Sequence, residues 1–188
     1  MAMKQGLHQL DSSHTFLAMG MGSFALFPIL LIVTPMMVAK TLHETPSTIL
    51  LQIPQSAYVT YGIGLLLLTV TFFLLSFLRV SKKAKLISAV IVLLAVFCFV
   101  DASQRFARLG WDTLAFKKSI WSETYEYTWD DIDKVVFREV PIKEGTSKFD
   151  FHFQDGNRMT LSNNEEMKAW RKKIEQKFED DGIEYKRG

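Results

Sequence analysis

The fold is decided at Arg79-Val80-Ser81-Lys82-Lys83-Ala84-Lys85, a short basic stretch between two long apolar runs. The stretch carries four positive charges and no acidic residue. Between residues 16 and 100 the only other charged side chains are Lys40 and Glu44. Cations in short loops between membrane helices stay on the cytoplasmic side. We therefore interpret four residues as the determinants of membrane topology: Arg79, Lys82, Lys83 and Lys85.

Three apolar runs are predicted to be membrane-spanning helices, at residues 16–38, 57–78 and 84–103. A helix of about 20 apolar residues crosses roughly 30 Å of hydrocarbon. Pro28 and Pro35 lie inside the first span, and each is expected to kink the helix or to be covered by a neighbour. Because the third run is short, two crossings with an interfacial helix remain the alternative.

The segments outside these runs are short. Residues 1–15 hold one early lysine and no small-residue cleavage pattern, which predicts a retained signal anchor rather than a cleaved peptide. Residues 40–55 form a linker. Its apolar part, residues 47–53, is too short to span and is predicted either to lie in the membrane interface or to extend the next helix. Cys98 is the only cysteine and cannot form an internal disulfide.

The side of the membrane on which each segment lies follows from the basic stretch. If residues 79–85 are cytoplasmic, the N-terminus is cytoplasmic and residues 40–55 are outside. A third crossing then places the C-terminal half outside, whereas a third helix that does not cross leaves it in the cytoplasm. The sequence thus predicts a multi-pass protein of the cell membrane with an extracytoplasmic C-terminal domain.

The composition changes near residue 101. From there onward the chain holds 16 Lys and Arg against 18 Asp and Glu. We divide the chain into a transmembrane anchor, residues 1–103, and a soluble domain, residues 104–188. Neither part is strongly basic, so nothing indicates nucleic-acid binding.

The soluble part shows alternating patterns that predict β-strands. In the clearest strand Phe149, Phe151 and Phe153 share one face, and a tight turn follows at Asp155-Gly156. The predicted strands are residues 105–109, 113–120, 122–127, 134–140, 148–154 and 158–161.

An amphipathic helix is predicted to end the domain. Ser162-Asn163-Asn164-Glu165 is interpreted as a capping box with Ser162 as the N-cap, and Gly182 as the stop. One face of the helix is apolar: Met167, Trp170, Ile174 and Phe178. The predicted fold is therefore an α-helical membrane anchor of about three transmembrane helices followed by an α+β domain, an antiparallel sheet capped by one helix.

The soluble half shows strands, then Tyr127-Thr128-Trp129-Asp130-Asp131-Ile132-Asp133-Lys134-Val135, then a hairpin at Asp155-Gly156 and a final helix. In this order it resembles the bacterial pleckstrin-homology-like domain, over residues 101–182. That family often follows paired membrane helices in small envelope proteins. The resemblance implies a small barrel-like sheet closed by the C-terminal helix, and it implies no enzyme.

Two features depart from the family pattern. The domain of familiar members is taken to be cytoplasmic, whereas the charges here place it outside. Lipid-binding eukaryotic relatives use a basic first hairpin, whereas here Lys117-Lys118 is followed by Glu123 and Glu126. The second departure weakens a phosphoinositide-type site.

Residues with possible chemistry are weighed against simpler roles. Asp150 and His152 share a strand face, but no Ser or Cys nucleophile lies in a recognisable motif with them, so an exposed strand face is the preferred interpretation. Three acids at residues 130–133 lack the spacing of a calcium loop, and a turn that caps a strand or short helix is preferred. We predict no catalytic residues, no metal site, no cofactor and no enzymatic activity.

A candidate partner or lipid surface is assigned from charge and aromaticity. Trp129 is assigned to the core, while the other two tryptophans near it are left open between core, recognition surface and membrane belt. A solvated helix face is the competing interpretation of the basic residues. The candidate residues are Lys168, Arg171, Lys172, Lys173, Trp111 and Trp121.

The leading functional hypothesis is a non-catalytic adaptor whose domain docks a protein or peptide partner at the membrane surface. The alternatives are a module that binds an anionic lipid surface, and an accessory or immunity-type membrane protein. The partners predicted are thus the lipid bilayer and a protein or peptide; the sequence does not fix the oligomeric state.

Overall fold

The computed structural model describes residues 2–141 and 145–187. The chain forms two compact units. The helical unit contains Met1–Val38 and Gln55–Gln104, and the sheet unit contains Ala39–Pro54 and Arg105–Gly188. The sheet unit therefore includes the segment that the sequence analysis treated as a linker.

Three helices are long and apolar enough to cross a membrane, which matches the number of long apolar helices predicted from the sequence. The third is the one whose short apolar run left an alternative open. It has 22 residues, or about 33 Å at the rise of an α-helix, which exceeds the hydrocarbon thickness. The helices are α1, Ala2–His43; α2, Gln55–Phe77; and α3, Lys82–Ser103.

The basic stretch forms a tight turn between α2 and α3. Arg79 and Val80 adopt positive φ angles of 47° and 55°. The Val80 amide donates to the Leu75 carbonyl at 2.9 Å, which closes the end of α2. Ser81 then caps α3, its Oγ accepting from the Ala84 amide at 3.2 Å. The four cations are exposed in this turn and in the first turn of α3.

Close packing joins α2 to α3. A Cβ at Gly64 would lie 2.9 Å from the Phe99 ring, so any larger residue would require this ring to shift. The Tyr61 ring lies beside the same phenylalanine, with centroids 5.9 Å apart. Helix α1 continues through both prolines; Pro35 is buried, as expected for a covered proline, while Pro28 is exposed.

The linker interpretation is wrong for residues 48–52, because Thr48–Gln52 is a strand, β1. It pairs antiparallel with Phe106–Gly110, β2. Leu50 is 2% exposed and belongs to the core of the sheet unit. The segment is short and apolar because it is a buried strand. Its partner strand lies more than 50 residues further along the chain.

Six further strands and one helix complete the sheet unit. The six strands predicted from the sequence are all present, with ends shifted by up to three residues, and β8 was not predicted. The elements are β3, Thr113–Lys117; β4, Tyr125–Thr128; β5, Ile132–Arg138; β6, Lys148–Phe153; β7, Arg158–Ser162; α4, Glu165–Asp180; and β8, Glu184–Arg187.

These strands form two four-stranded sheets, ordered β1-β2-β3-β4 and β7-β6-β5-β8. All pairings are antiparallel except β5 with β8. The predicted inward face of β6 is confirmed, since its three phenylalanines are buried, and α4 covers the core with Met167, Ile174 and Phe178. A side chain links the two sheets: the Gln52 Nε2 donates to the Ser162 carbonyl, and its Oε1 accepts from the Ser162 amide, each at 2.7 Å.

The predicted N-cap of α4 is wrong by two residues. Ser162 still belongs to β7, where its backbone is bonded to Gln52. The N-cap is Asn164, whose Oδ1 accepts from the Met167 amide at 2.9 Å. The predicted stop is confirmed: Gly182 has φ +67°, and the Ile183 amide bonds to the Phe178 carbonyl at 2.8 Å.

Candidate functional site

The strand register gives the first sheet two distinct ends. Phe106, the first residue of β2, follows the last residue of α3 by three positions and pairs with Lys117. Gln52 pairs with Ala107, and α2 begins three residues after Gln52. Both of these connections to the helices therefore leave the sheet at one end, which we call the proximal end. The distal end is formed by Gly110 and the turn that follows it.

Trp121 lies at the proximal end, in the loop of residues 118–124 between β3 and β4. It is 84% exposed. Ser122 orders this loop, because its Oγ accepts from the backbone amides of Lys118 at 3.2 Å and Ser119 at 2.9 Å. The loop therefore has a defined shape that presents the indole to its surroundings.

Trp111 lies at the distal end, in the turn between β2 and β3, and is 42% exposed. Its ring meets the Trp170 ring edge to face, with centroids 6.0 Å apart. Trp129 is buried, and its indole N–H donates to the Gly110 carbonyl at 3.2 Å, which confirms its assignment to the core. The two tryptophans left open by the sequence thus lie at opposite ends of one sheet.

A shallow cleft of about 460 Å³ opens beside Trp111, against helix α4. The Lys173 Nζ lies 4.8 Å from the centre of the Trp170 ring, a cation–π contact. The Lys177 Nζ lies 4.9 Å from the Trp129 ring and 2.9 Å from an Asp181 oxygen. We call this cleft the distal cleft; its lining is Trp111, Lys173, Gln176, Lys177, Asp180 and Asp181.

The four basic residues proposed from the sequence do not share one role. Lys168 pairs with Glu165 at 2.6 Å, and Lys172 is exposed. Arg171 lies over the Phe137 ring at 4.7 Å. Its guanidinium also contacts Glu175 at 2.9 Å, which raises its pKa above the ordinary value. Of the four, Lys173 alone joins Trp111 in the distal cleft.

A second cavity, of about 510 Å³, lies between α4 and β8. The Tyr185 hydroxyl donates to Glu175 at 3.2 Å across it. Because β8 was not predicted, sequence reasoning missed this cavity. Its lining is Glu175, Phe178, Glu179, Ile183, Tyr185 and Arg187.

An aromatic stack lines β4. Tyr127 stacks on Phe153 with centroids 3.8 Å apart, and its hydroxyl donates to Asp155 at 2.6 Å. Burial, followed by this hydrogen bond, raises the pKa of Tyr127 to about 12. The same bond lowers the pKa of Asp155. The stack therefore fixes the β6–β7 turn to the first sheet.

The interpretation of Asp150 as part of an exposed strand face is wrong, because its side chain is buried. One carboxylate oxygen contacts Arg138 Nε at 2.6 Å, and the other accepts from the Thr160 hydroxyl at 2.6 Å. These cross-strand neighbours fold over the carboxylate and remove it from water. Both oxygens are thus engaged by residues other than His152, which is half-buried on the same strand.

The acids at residues 130–133 were expected to cap a turn or short helix, and this is confirmed for Asp131. It closes a 3₁₀ turn, Trp129–Asp131, by accepting from the Thr128 amide at 2.7 Å and hydroxyl at 2.8 Å. These two bonds lower the pKa of Asp131. Within residues 12–141 and 145–187, no group of three His, Cys, Asp or Glu side chains is arranged to hold a metal ion.

The fold and these sites describe a protein with three apolar helices of membrane-spanning length and a sheet-rich C-terminal unit that carries a helix. No protein-family model, curated protein or solved structure matches the chain.

Proposed function

We propose that the chain is a non-catalytic, multi-pass protein of the cell membrane whose sheet unit docks a protein or peptide partner. The observation that carries this proposal is the distal cleft. In this cleft the exposed indole of Trp111 and the ammonium group of Lys173, which lies over the Trp170 ring, line one opening beside α4. Tryptophan at the centre of such a surface is typical of interaction hot spots.

The sheet unit is proposed to be a pleckstrin-homology-like domain. Four strands in one sheet, then three antiparallel strands in the next, then a closing helix support this assignment. The first strand of the set, β1, comes from between α1 and α2. Helices α2 and α3 would therefore interrupt the sequence of the domain, between β1 and β2, instead of preceding the whole domain.

The domain is proposed to lie outside the cell. Strands β1 and β2 belong to one sheet, so they share a side of any membrane that the helices cross. Only α2 and α3 separate them in the chain, and two crossings return the chain to its starting side. With the basic turn in the cytoplasm, both strands lie outside.

The chemistry of the distal cleft suggests what its partner presents. The Trp111 ring offers apolar area, and Lys173 offers a cation held against an aromatic ring. Because Asp180 and the Lys177–Asp181 ion pair also line the cleft, its charges balance, and a segment with an apolar side chain beside a polar group complements it. The ammonium of Lys168 and the guanidinium of Arg171 are held in ion pairs within the domain. Because these two cations are already paired, α4 does not present a continuous basic face to anionic lipid, and docking of a partner in the distal cleft is the preferred proposal.

The test is photo-crosslinking in intact membranes. A photoreactive amino acid replaces Gln176, which lines the cleft, and, as a matched control, Arg158, which is exposed on β7. We expect a discrete adduct from position 176 and none from position 158. The adduct should disappear when Trp111→Ala and Lys173→Gln are combined. An adduct that survives this double substitution, or no adduct from position 176, would contradict a docking site in the cleft.

A further inference from the structure

We infer that β8, Glu184–Arg187, reversibly occupies a groove between β5 and α4, and that an extended peptide segment of a partner takes its place there. The segment carries an aromatic side chain and, two residues later, a cation. We call this site the β5–α4 groove. The cavity beside β8 shares no lining residue with the distal cleft, so peptide binding in the groove and docking in the cleft can each fail without the other.

Strand β8 is held weakly in the sheet. It has four residues, of which Tyr185 is half-buried and the other three are exposed. It pairs parallel to β5, whereas the other described strand pairings are antiparallel, and parallel pairing is slightly less stable per residue. A short strand that buries little apolar area opens locally at a small cost in free energy. We therefore expect β8 to separate from β5 while the rest of the sheet stays formed.

The surface under β8 has the features of a peptide-binding groove. Departure of β8 frees the backbone edge of β5 along Lys134–Phe137, the residues with which it is in register. A free strand edge accepts an extended chain through main-chain hydrogen bonds. Val135 and Phe178 are buried while β8 is in place. An incoming strand would therefore find a backbone edge on β5 and apolar area beside α4.

The contacts of β8 define the chemistry of the segment that replaces it. The Tyr185 ring lies 5.6 Å from the Phe178 ring, centroid to centroid, and its hydroxyl donates to Glu175 at 3.2 Å. Arg187 follows two residues later, on the same face of the strand. Its guanidinium lies 3.9 Å from the same Glu175 oxygen. An aromatic residue, any residue and then a cation reproduce this set of contacts.

Competition with β8 determines how tightly a free peptide binds. A strand tethered by a short link acts at an effective concentration on the order of millimolar. The apparent affinity of the peptide is reduced by the fraction of molecules in which the groove is open. Substitutions that weaken β8 should therefore strengthen peptide binding, which is the opposite of the effect of removing a direct contact.

The test uses the full chain in detergent and a fluorescent peptide with the sequence of residues 183–188. Fluorescence anisotropy compares the wild type with the double variant Tyr185→Ala, Arg187→Ala. Lys186→Ala is the matched control, because Lys186 is exposed on the opposite face of β8 and pairs with Glu184. We expect the double variant to bind the peptide at least about tenfold more tightly than the wild type and the control do. A peptide with Ala in place of the tyrosine should not bind.

A milder substitution keeps the test decisive where the double variant is unstable. Tyr185→Phe retains the ring and removes the bond to Glu175, so it should bind the peptide with an affinity between those of the wild type and the double variant. Slow hydrogen exchange along β6 reports that the sheet stays formed. Equal peptide affinity in the wild type and Tyr185→Phe, or no binding to either, would overturn the inference. Protection of the β8 amides that falls when the wild type is diluted would also overturn it, because a second copy would then fill the groove.

Discussion

At the scale of single residues, the hydrogen bond from Tyr127 to Asp155 makes the free energy of unfolding depend on pH. Burial and this bond raise the pKa of Tyr127 from 10.0 to about 12. The folded state thus holds the phenol proton more tightly than the unfolded chain does. The resulting stabilisation is complete below pH 10.0 and is lost as the pH rises toward about 12. At the acid end the lowered pKa of Asp155 stabilises the fold above pH 3.8, and this is lost at lower pH.

We expect Tyr127→Phe to be less stable than the wild type near neutral pH, and this deficit to shrink between pH 10.0 and about 12. The reason is that only the wild type loses free energy of unfolding when Tyr127 ionises in the unfolded chain. Denaturant unfolding across this pH range measures the deficit, with Tyr125→Phe as the matched control. A deficit of the same size at neutral and alkaline pH would refute the assignment.

The buried carboxylate of Asp150 gives a second prediction at this scale. Asp150→Ala leaves the Thr160 hydroxyl and the Arg138 guanidinium without their acceptor, so we expect a loss of about 1–3 kcal/mol in the free energy of unfolding. His152→Ala, on the same strand face, should cost much less. Thermal unfolding of both variants compares them. Equal losses would mean that the Asp150 contacts contribute little.

At the scale of elements, the link from β1 to β7 depends on one side chain. Gln52→Ala leaves the Ser162 amide without its acceptor, while the Ser162 carbonyl still accepts from the Asn164 amide at 2.9 Å, so we expect a cost of about 1–3 kcal/mol from the unpaired amide. Hydrogen exchange at the Ser162 amide should also become faster. Gln154→Ala, at an exposed glutamine of the same domain, is the control. Unchanged exchange at Ser162 would show that the link is not maintained in solution.

The elements that could be predicted from the sequence are those with a local signal. Alternation along residues 148–153 fixed a strand and its inward face, and Gly182 fixed the end of α4. Strand β1 has only five residues and a distant partner, so nothing local distinguishes it from a linker. Strand β8 is polar and mostly exposed, and only its pairing with β5 makes it a strand.

The candidate site could likewise be predicted only where the sequence carries a local signal. Sequence reasoning identified Trp111 and Trp121 but left their roles open, because both are aromatic residues in short polar turns. The register of β2 with β3 separates them, since it assigns each turn to one end of the sheet. Lys173 was grouped with three other cations as one basic face of the last helix, whereas the position of each side chain around α4 decides which of them reaches the cleft.

At the scale of the whole molecule, the proposed membrane topology depends on the pairing of β1 with β2 across helices α2 and α3. Strand β1, between α1 and α2, belongs to the same sheet as β2, β3 and β4, while the basic turn lies between the two helices that separate β1 from β2 in sequence. A chain that crosses the membrane with α1, α2 and α3 must therefore place the basic turn and the sheet unit on opposite sides.

Cysteine labelling tests this relation most directly. In a Cys98→Ser background, single cysteines replace Asp112 in the distal turn and Lys83 in the basic turn, and intact cells are treated with a membrane-impermeant maleimide. The account predicts labelling at position 112 in intact cells, and labelling at position 83 only after lysis. Labelling of both positions in intact cells, or protection of position 112 until lysis, would contradict it.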